Sequence, residues 1–432
     1  MKYRIIIIVT VALLLVVALL ALVFGRKSGG GTPITLEFWG LDESAVWLPI
    51  ITAYQTQNPN ITVNYLQKNP LTYEKDLVNA LASGAGPDIA SINNTWLNKH
   101  ANKFSPLPAA LMSANVFQET FMAVAVEDLI LSNQIYAVPF YVDTLALYYN
   151  KALFNSAGLV NPPKTWEEFN GAVKNLVQKN TDGSIGRAGA ALGNASNINY
   201  APDILGLLML QTGARLVSDE GGRKAVFDRA VSSNGQLVSP GLNALDFYTS
   251  FANSSKPVYT WNARLPNSLD AFTQGRAAMY LGYAHDFKAI QQKSSINFGV
   301  APMPQVKDSQ KNSDYLDINF ASYSAGAVTQ KSSNKDIAWN FLIFATSQNA
   351  AGSYMSAAYL PPARRDLVQF TASDPAMAVF AKQALSAASW PQPDEVEVNK
   401  IFKRMIDAVA LGQSSSKEAI KEAAIEVNNL LR

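Results

Sequence analysis

The chain has 432 residues, 48% of them apolar and 16% charged, which is enough for two domains with sizeable cores. Its 35 basic residues include Lys2, Arg4, Arg26 and Lys27; without these four, 31 basic residues face 33 acidic ones, so no basic field exists for nucleic acid. There is no cysteine, which excludes disulfides, thiolate metal sites, cysteine nucleophiles and a lipid-modified cysteine.

Residues 5–24 read IIIIVTVALLLVVALLALVF and carry no charge. At about 1.5 Å per residue they span roughly 30 Å, the depth of a bilayer core. A cleaved leader has a shorter apolar run and a small-x-small cleavage site. Here the run ends in Val23-Phe24-Gly25, so residues 1–27 read as a retained single-pass anchor, with a cleaved signal peptide as the alternative. Residues 28–33, SGGGTP, read as a flexible linker. The large remainder is then expected on the extracellular or periplasmic side.

The next elements alternate in type. Residues 35–39 read as a strand, 44–57 as a helix stopped before Asn58-Pro59, and 61–66 as a cleanly alternating strand. Residues 71–83 read as a helix ended by Gly84, Gly86 and Pro87, and 88–92 as a short apolar strand. This rhythm predicts a mostly parallel sheet covered by helices. The run AVPFYVDTLALYYNKALF (137–154) alternates like a strand and then turns helical, with the lone acid Asp143 in its middle. Thr165, with Glu168 three positions on, has the form of a capping box opening a helix to about Val177. Strands are expected at 277–282 and 298–301. Helices follow at 334–347, 374–388, 396–411 and 416–431, the last capped within Ser414 to Ser416.

Chemical motifs are scarce. There are two histidines, His100 and His285, and no HExxH, GxSxG, P-loop or EF-hand spacing. The Gly-rich 183–189 opens no strand-helix unit and reads as a loop. No cofactor or metal is expected. Acids are plentiful, so a glycan-hydrolysing enzyme using Asp143 with Glu43 or Asp42 remains an alternative.

Several stretches in order carry a family resemblance: LEFW (36–39), ASGAGPDI (82–89), IYAVP (135–139), DTLALYYNKALF (143–154) and PPKTWEEF (162–169). FTQGRAAM (272–279), FGVAPMP (298–304) and LPPAR (360–364) follow. Together they resemble the extracellular solute-binding proteins of ABC importers, in the broad family that includes the maltose-binding protein. The resemblance implies a two-lobed α/β fold of the periplasmic-binding-protein type II class, with a ligand cleft between the lobes. It implies an N-terminal lobe at 34–142 completed by about 301–346, and a C-terminal lobe at 143–300 completed by about 347–432. It further implies a carbohydrate ligand, a membrane permease with a separate ATPase, and a monomer. A ligand-binding sensor module without import is another alternative.

By that resemblance 137–154 is the first crossing between lobes, and Asp143 lies at the cleft floor, where sugar-binding members use an acid to bond ligand hydroxyls. The chemistry agrees: a carboxylate accepts two donors at once through charge-assisted bonds. Rings are expected to cover the C–H face of a sugar at low entropy cost. The candidates after the first strand are Trp39, Gly40 and Asp42, and after the third Asn93, Asn94, Thr95 and Trp96. Tyr141 shares the crossing. The second lobe offers Asn197, Asn199, Tyr200, Tyr283 and His285, with His285 standing where many sugar-binding members carry a Trp. Tyr323, Tyr359 and Trp390 complete the candidate rings.

Overall fold

The strand Ile34–Gly40 (β1) buries Leu36 and Phe38 and leaves Thr35 to solvent, as a period of two requires. The computed structural model describes residues 32–431 except 221, 234, 294 and 308–316. The apolar run 5–24 and most of the linker therefore lie outside the described residues. Among those described, no helix is long and apolar enough to cross a membrane.

From β1 the chain passes through α1 (Ser44–Gln57), β2 (Ile61–Gln67), α2 (Tyr73–Ser83) and β3 (Ile89–Asn93). β2 and β3 both pair in parallel with β1. Gly84 stops α2 at φ 79°, a left-handed turn that favours glycine. Two short strands follow, β4 (Phe104–Ser105) and β5 (Val138–Pro139). The crossing then gives β6 (Asp143–Thr144) and β7 (Ala146–Asn150).

The second lobe is built from α3 (Trp166–Leu176), α4 (Ala201–Gln211), α5 (Pro240–Ser250), β8 (Met279–Gly282), α6 (Asp286–Lys293) and β9 (Phe298–Ala301). β7 is the centre of an antiparallel sheet with β8 and β9 on its flanks. α4 is buried nearly all round, and its Leu205, Leu207 and Leu208 join Phe169, Leu245 and Phe251 in that core. Each such side chain contributes about 1.5–3 kcal/mol by leaving water. Thr165 caps α3 by accepting from Glu168 N at 3.1 Å. The return bond of Glu168 goes to Lys164 N, at 2.7 Å, one residue before the expected cap partner.

The chain then returns. β10 (Asn319–Ser322) leads into β11 (Ser324–Thr329), which lies antiparallel to β3 and completes the first sheet, with β4 and β5 along its other edge. α7 (Lys335–Ala345) and α8 (Gln348–Ala358) pack on α1, with Tyr54 5.1 Å from Phe341 and Trp47 5.3 Å from Tyr354. The first lobe thus extends past the boundary expected at 347, because Tyr354 is needed in its aromatic core. α9 (Pro375–Gln383) and β12 (Ala387–Ala388) precede α10 (Glu395–Ala410) and α11 (Ser416–Leu430), which cover the second lobe.

Three short strands therefore lie side by side where the lobes meet, in the order β12-β10-β6. Asp143 pairs with Ser322, and Asn319 with Ala387. The crossing read at 137–154 is one of three.

Candidate ligand site between the lobes

Asp143 is fixed by β6 at the middle of this junction and is 1% exposed. Its Oδ1 accepts from Thr144 N at 2.8 Å and Ala284 N at 2.9 Å. Its Oδ2 accepts from His285 N and from His285 Nδ1, both at 3.2 Å. A carboxylate has about four acceptor positions, and the protein fills them all. The expectation that Asp143 bonds ligand hydroxyls directly is corrected to this extent: in this conformation it holds the 283–286 turn.

That turn follows β8. Tyr148 Oη donates to Tyr283 O at 2.6 Å, and Asp286 Oδ2 accepts from Tyr280 Oη at 2.7 Å. His285 lies on the turn with its side chain 49% exposed. One face of its ring stacks on Tyr283, with centroids 5.4 Å apart and planes 15° apart. Its Nε2 meets Tyr200 Oη at 2.8 Å, and the same hydroxyl lies 3.0 Å from Asp286 Oδ1. Tyr283 Oη donates to Asp203 Oδ2 at 2.8 Å. Asp143, Tyr200, Tyr283 and His285, expected separately, thus form one hydrogen-bonded corner.

Desolvation works against a charge on His285. The bond to Asp143 and the nearby charges of Asp143, Asp286 and Asp203 outweigh it, so the pKa is raised above 6.5. Burial pushes Asp203 up to about 6, although its bond to Tyr283 opposes this.

The first lobe's wall at the junction is residues 93–100, the end of β3 with the turn and short helix (Leu97–His100) after it. Asn93 Oδ1 accepts from Thr95 N and Oγ1, at 3.0 and 2.9 Å, a local turn that fixes Thr95. Thr95 Oγ1 also lies 3.1 Å from Glu395 Oε2 of the second lobe, so its single proton is shared between Asn93 and Glu395. Lys99 pairs with Glu74 and with Asp394, and Arg223 Nη1 donates to Asn98 Oδ1 at 2.9 Å. Glu395 rises to about 7, first through burial and then through the charge of Asp203.

Other expected residues are structural pins. Gly40 lies where an added Cβ would meet the Tyr65 hydroxyl at 2.5 Å and its ring at 2.7 Å. Asp42 accepts from Trp47 Nε1 and Tyr354 Oη, at 3.1 and 2.9 Å. Asn94 donates to Asp128, which also accepts from Tyr323 Oη at 2.8 Å. Asn197 ties Asn262, Leu265 and Trp261 together, and Asn199 accepts from Asn267 at 2.6 Å.

The rings divide by exposure. Tyr283, Tyr323 and Trp390 were expected to face a ligand but are buried, the last stacked on Phe402, so they offer no open face. Trp39, Trp96, Tyr141, Tyr200 and Tyr359 are half-buried. Lys68 Nζ lies 3.6 Å from the Trp39 ring, and Tyr359 donates to Asp374 at 2.8 Å.

Asp203, Asp286 and Glu395 were missed by the sequence reading. Each lies in the first turn of a helix, where an acid is expected for electrostatic reasons alone. Among the described residues no group of three His, Asp or Glu could hold a metal ion.

Two α/β lobes, three crossing strands and a polar corner at their junction define a two-lobed solute-binding architecture. The sequence pattern of the bacterial extracellular solute-binding proteins matches residues 40–351, and the chain belongs to that family. It is 21% identical to the galactooligosaccharide-binding protein of Bacillus subtilis, over 87% of this chain and 84% of that one. An ABC transporter solute-binding protein of Thermotoga lettingae, solved with alpha-D-tagatose, superposes with a TM-score of 0.69 at 25% identity, covering 92% of this chain and 100% of that one. The sugar-binding protein MalE of Xanthomonas citri superposes with a TM-score of 0.74 at 21% identity, covering 92% and 97%.

Proposed function

We propose that this chain captures a neutral sugar or oligosaccharide between its lobes and presents it to the permease of an ABC importer. The observation that carries the reading is the corner at the crossing strands. There the His285 ring stands half-open to solvent, backed by Tyr283 and held at both nitrogens. A flat, immobilised ring suits the C–H face of a pyranose. The sugar ligands of the relatives support the same class. Asp143, Asp203 and Asp286 surround the corner, an arrangement that disfavours phosphorylated or carboxylated sugars.

Capture follows a clamshell scheme. Contacts from both walls to one ligand favour the arrangement in which Thr95 meets Glu395. Residues 5–24 hold the protein on the outer face of the membrane, and the glycine-rich linker keeps it at high effective concentration near its permease. Import is driven by a separate ATPase.

Isothermal titration with galacto- and malto-oligosaccharides tests the reading, with a sugar phosphate as the control. Saturable binding of a neutral sugar, recovered unaltered, is the expected result. Hydrolysis of the sugar would move the protein to the glycan-hydrolase alternative, and tighter binding of the phosphate would overturn the ligand class.

A further inference from the structure

Asp143 is nearly sealed from solvent, while the ring it bonds is half-exposed. All its acceptor positions are used within 283–286 and by Thr144. His285 is held from both sides, Nδ1 by Asp143 and Nε2 by Tyr200, whose hydroxyl is itself tied to Asp286. With both nitrogens occupied and one face on Tyr283, the remaining face and edge are what the imidazole can offer a ligand.

We propose that Asp143 is a positioning residue: it acts on ligand binding through His285, whose ring is the contact surface for a neutral sugar. This rests on the sugar-binding reading above. The physical reason is preorganisation. A free imidazole rotates about two torsions, and fixing it before the ligand arrives removes that entropy cost from binding. The groups facing the ring are Asp143 from the crossing, Asp286 and Tyr283 from its own turn, and Tyr200 and Asp203 from α4 and the residue before it. The carboxylates among them favour the charged imidazole, which donates at both nitrogens.

The chain has only two histidines, so His285→Ala assigns the His285 imidazole signals against those of His100. An NMR titration should place wild-type His285 above 6.5 and Asp143→Asn lower, with His100 unchanged. Titration of maltotetraose should show Asp143→Asn and His285→Ala each weakening binding on the order of tenfold or more, the range for a bond to a charged group. Asp143→Asn in the His285→Ala background should add nothing, because residues acting through one another are not additive. A wild-type His285 that titrates at or below 6.5 would overturn the proposal. So would unchanged titration in Asp143→Asn, or a double variant whose loss equals the sum of the single losses. Intact titration differences with no sugar bound by the wild type would refute the sugar reading and leave the brace standing.

Discussion

Glu395→Gln should flatten the dependence of stability on pH. Glu395 meets Thr95 across the junction, and its carboxyl is raised from an ordinary 4.5 to about 7. Between those values the folded protein binds more protons than the unfolded chain, so stability falls as pH rises. The displacement corresponds to roughly 3 kcal/mol against the charged form. Asp203, raised to about 6 from 3.8, acts in the same direction. His285 does too: its contribution is complete below 6.5 and is lost as pH rises through its higher folded value. Glutamine keeps an acceptor for Thr95 Oγ1 and never ionises. Urea unfolding at pH 5 and pH 8 should therefore show the wild type losing stability on going to pH 8, and Glu395→Gln losing about 1–3 kcal/mol less. Part of the loss should survive in the variant through Asp203 and His285. Identical losses in the two proteins would refute the burial argument for Glu395.

Two further effects test the scaffold. Trp47 is fully buried between Phe38, at 4.8 Å, and Phe140, at 4.7 Å, so Trp47→Ala should cost about 3–5 kcal/mol in chemical denaturation. Ser415→Ala should cost about 1 kcal/mol in the same assay, because Ser415 and Glu418 form a reciprocal cap on α11.

Local signals carried well into the fold. The period of two at Ile34–Gly40 and Ile61–Gln67, and the stop before Asn58, produced the observed elements within a residue or two. α8 was missed because Gln348–Ala358 is rich in small and polar residues and follows directly on another helix. Its place is decided by Tyr354, which finds Trp47 and Asp42 about 300 positions away. The same non-locality governs the site. Asp143 was legible as a lone acid on a crossing, but its partners lie 141 and 142 positions downstream. Glu395 looks like an ordinary first-turn acid until the fold brings Thr95 against it. A sequence pattern reports what a residue can do, and only the tertiary contact decides whether its acceptor positions stay open.

Capture between the lobes implies that their separation changes when a sugar binds. The chain has no native cysteine, so Leu71→Cys in the first lobe and Val160→Cys in the second, at 91% and 89% exposure, give two unique spin-label sites. Distances measured by double electron–electron resonance, with and without a bound neutral oligosaccharide, should shift towards the separation seen when Thr95 meets Glu395. A sugar that binds and leaves the distance distribution unchanged would rule out capture between the lobes.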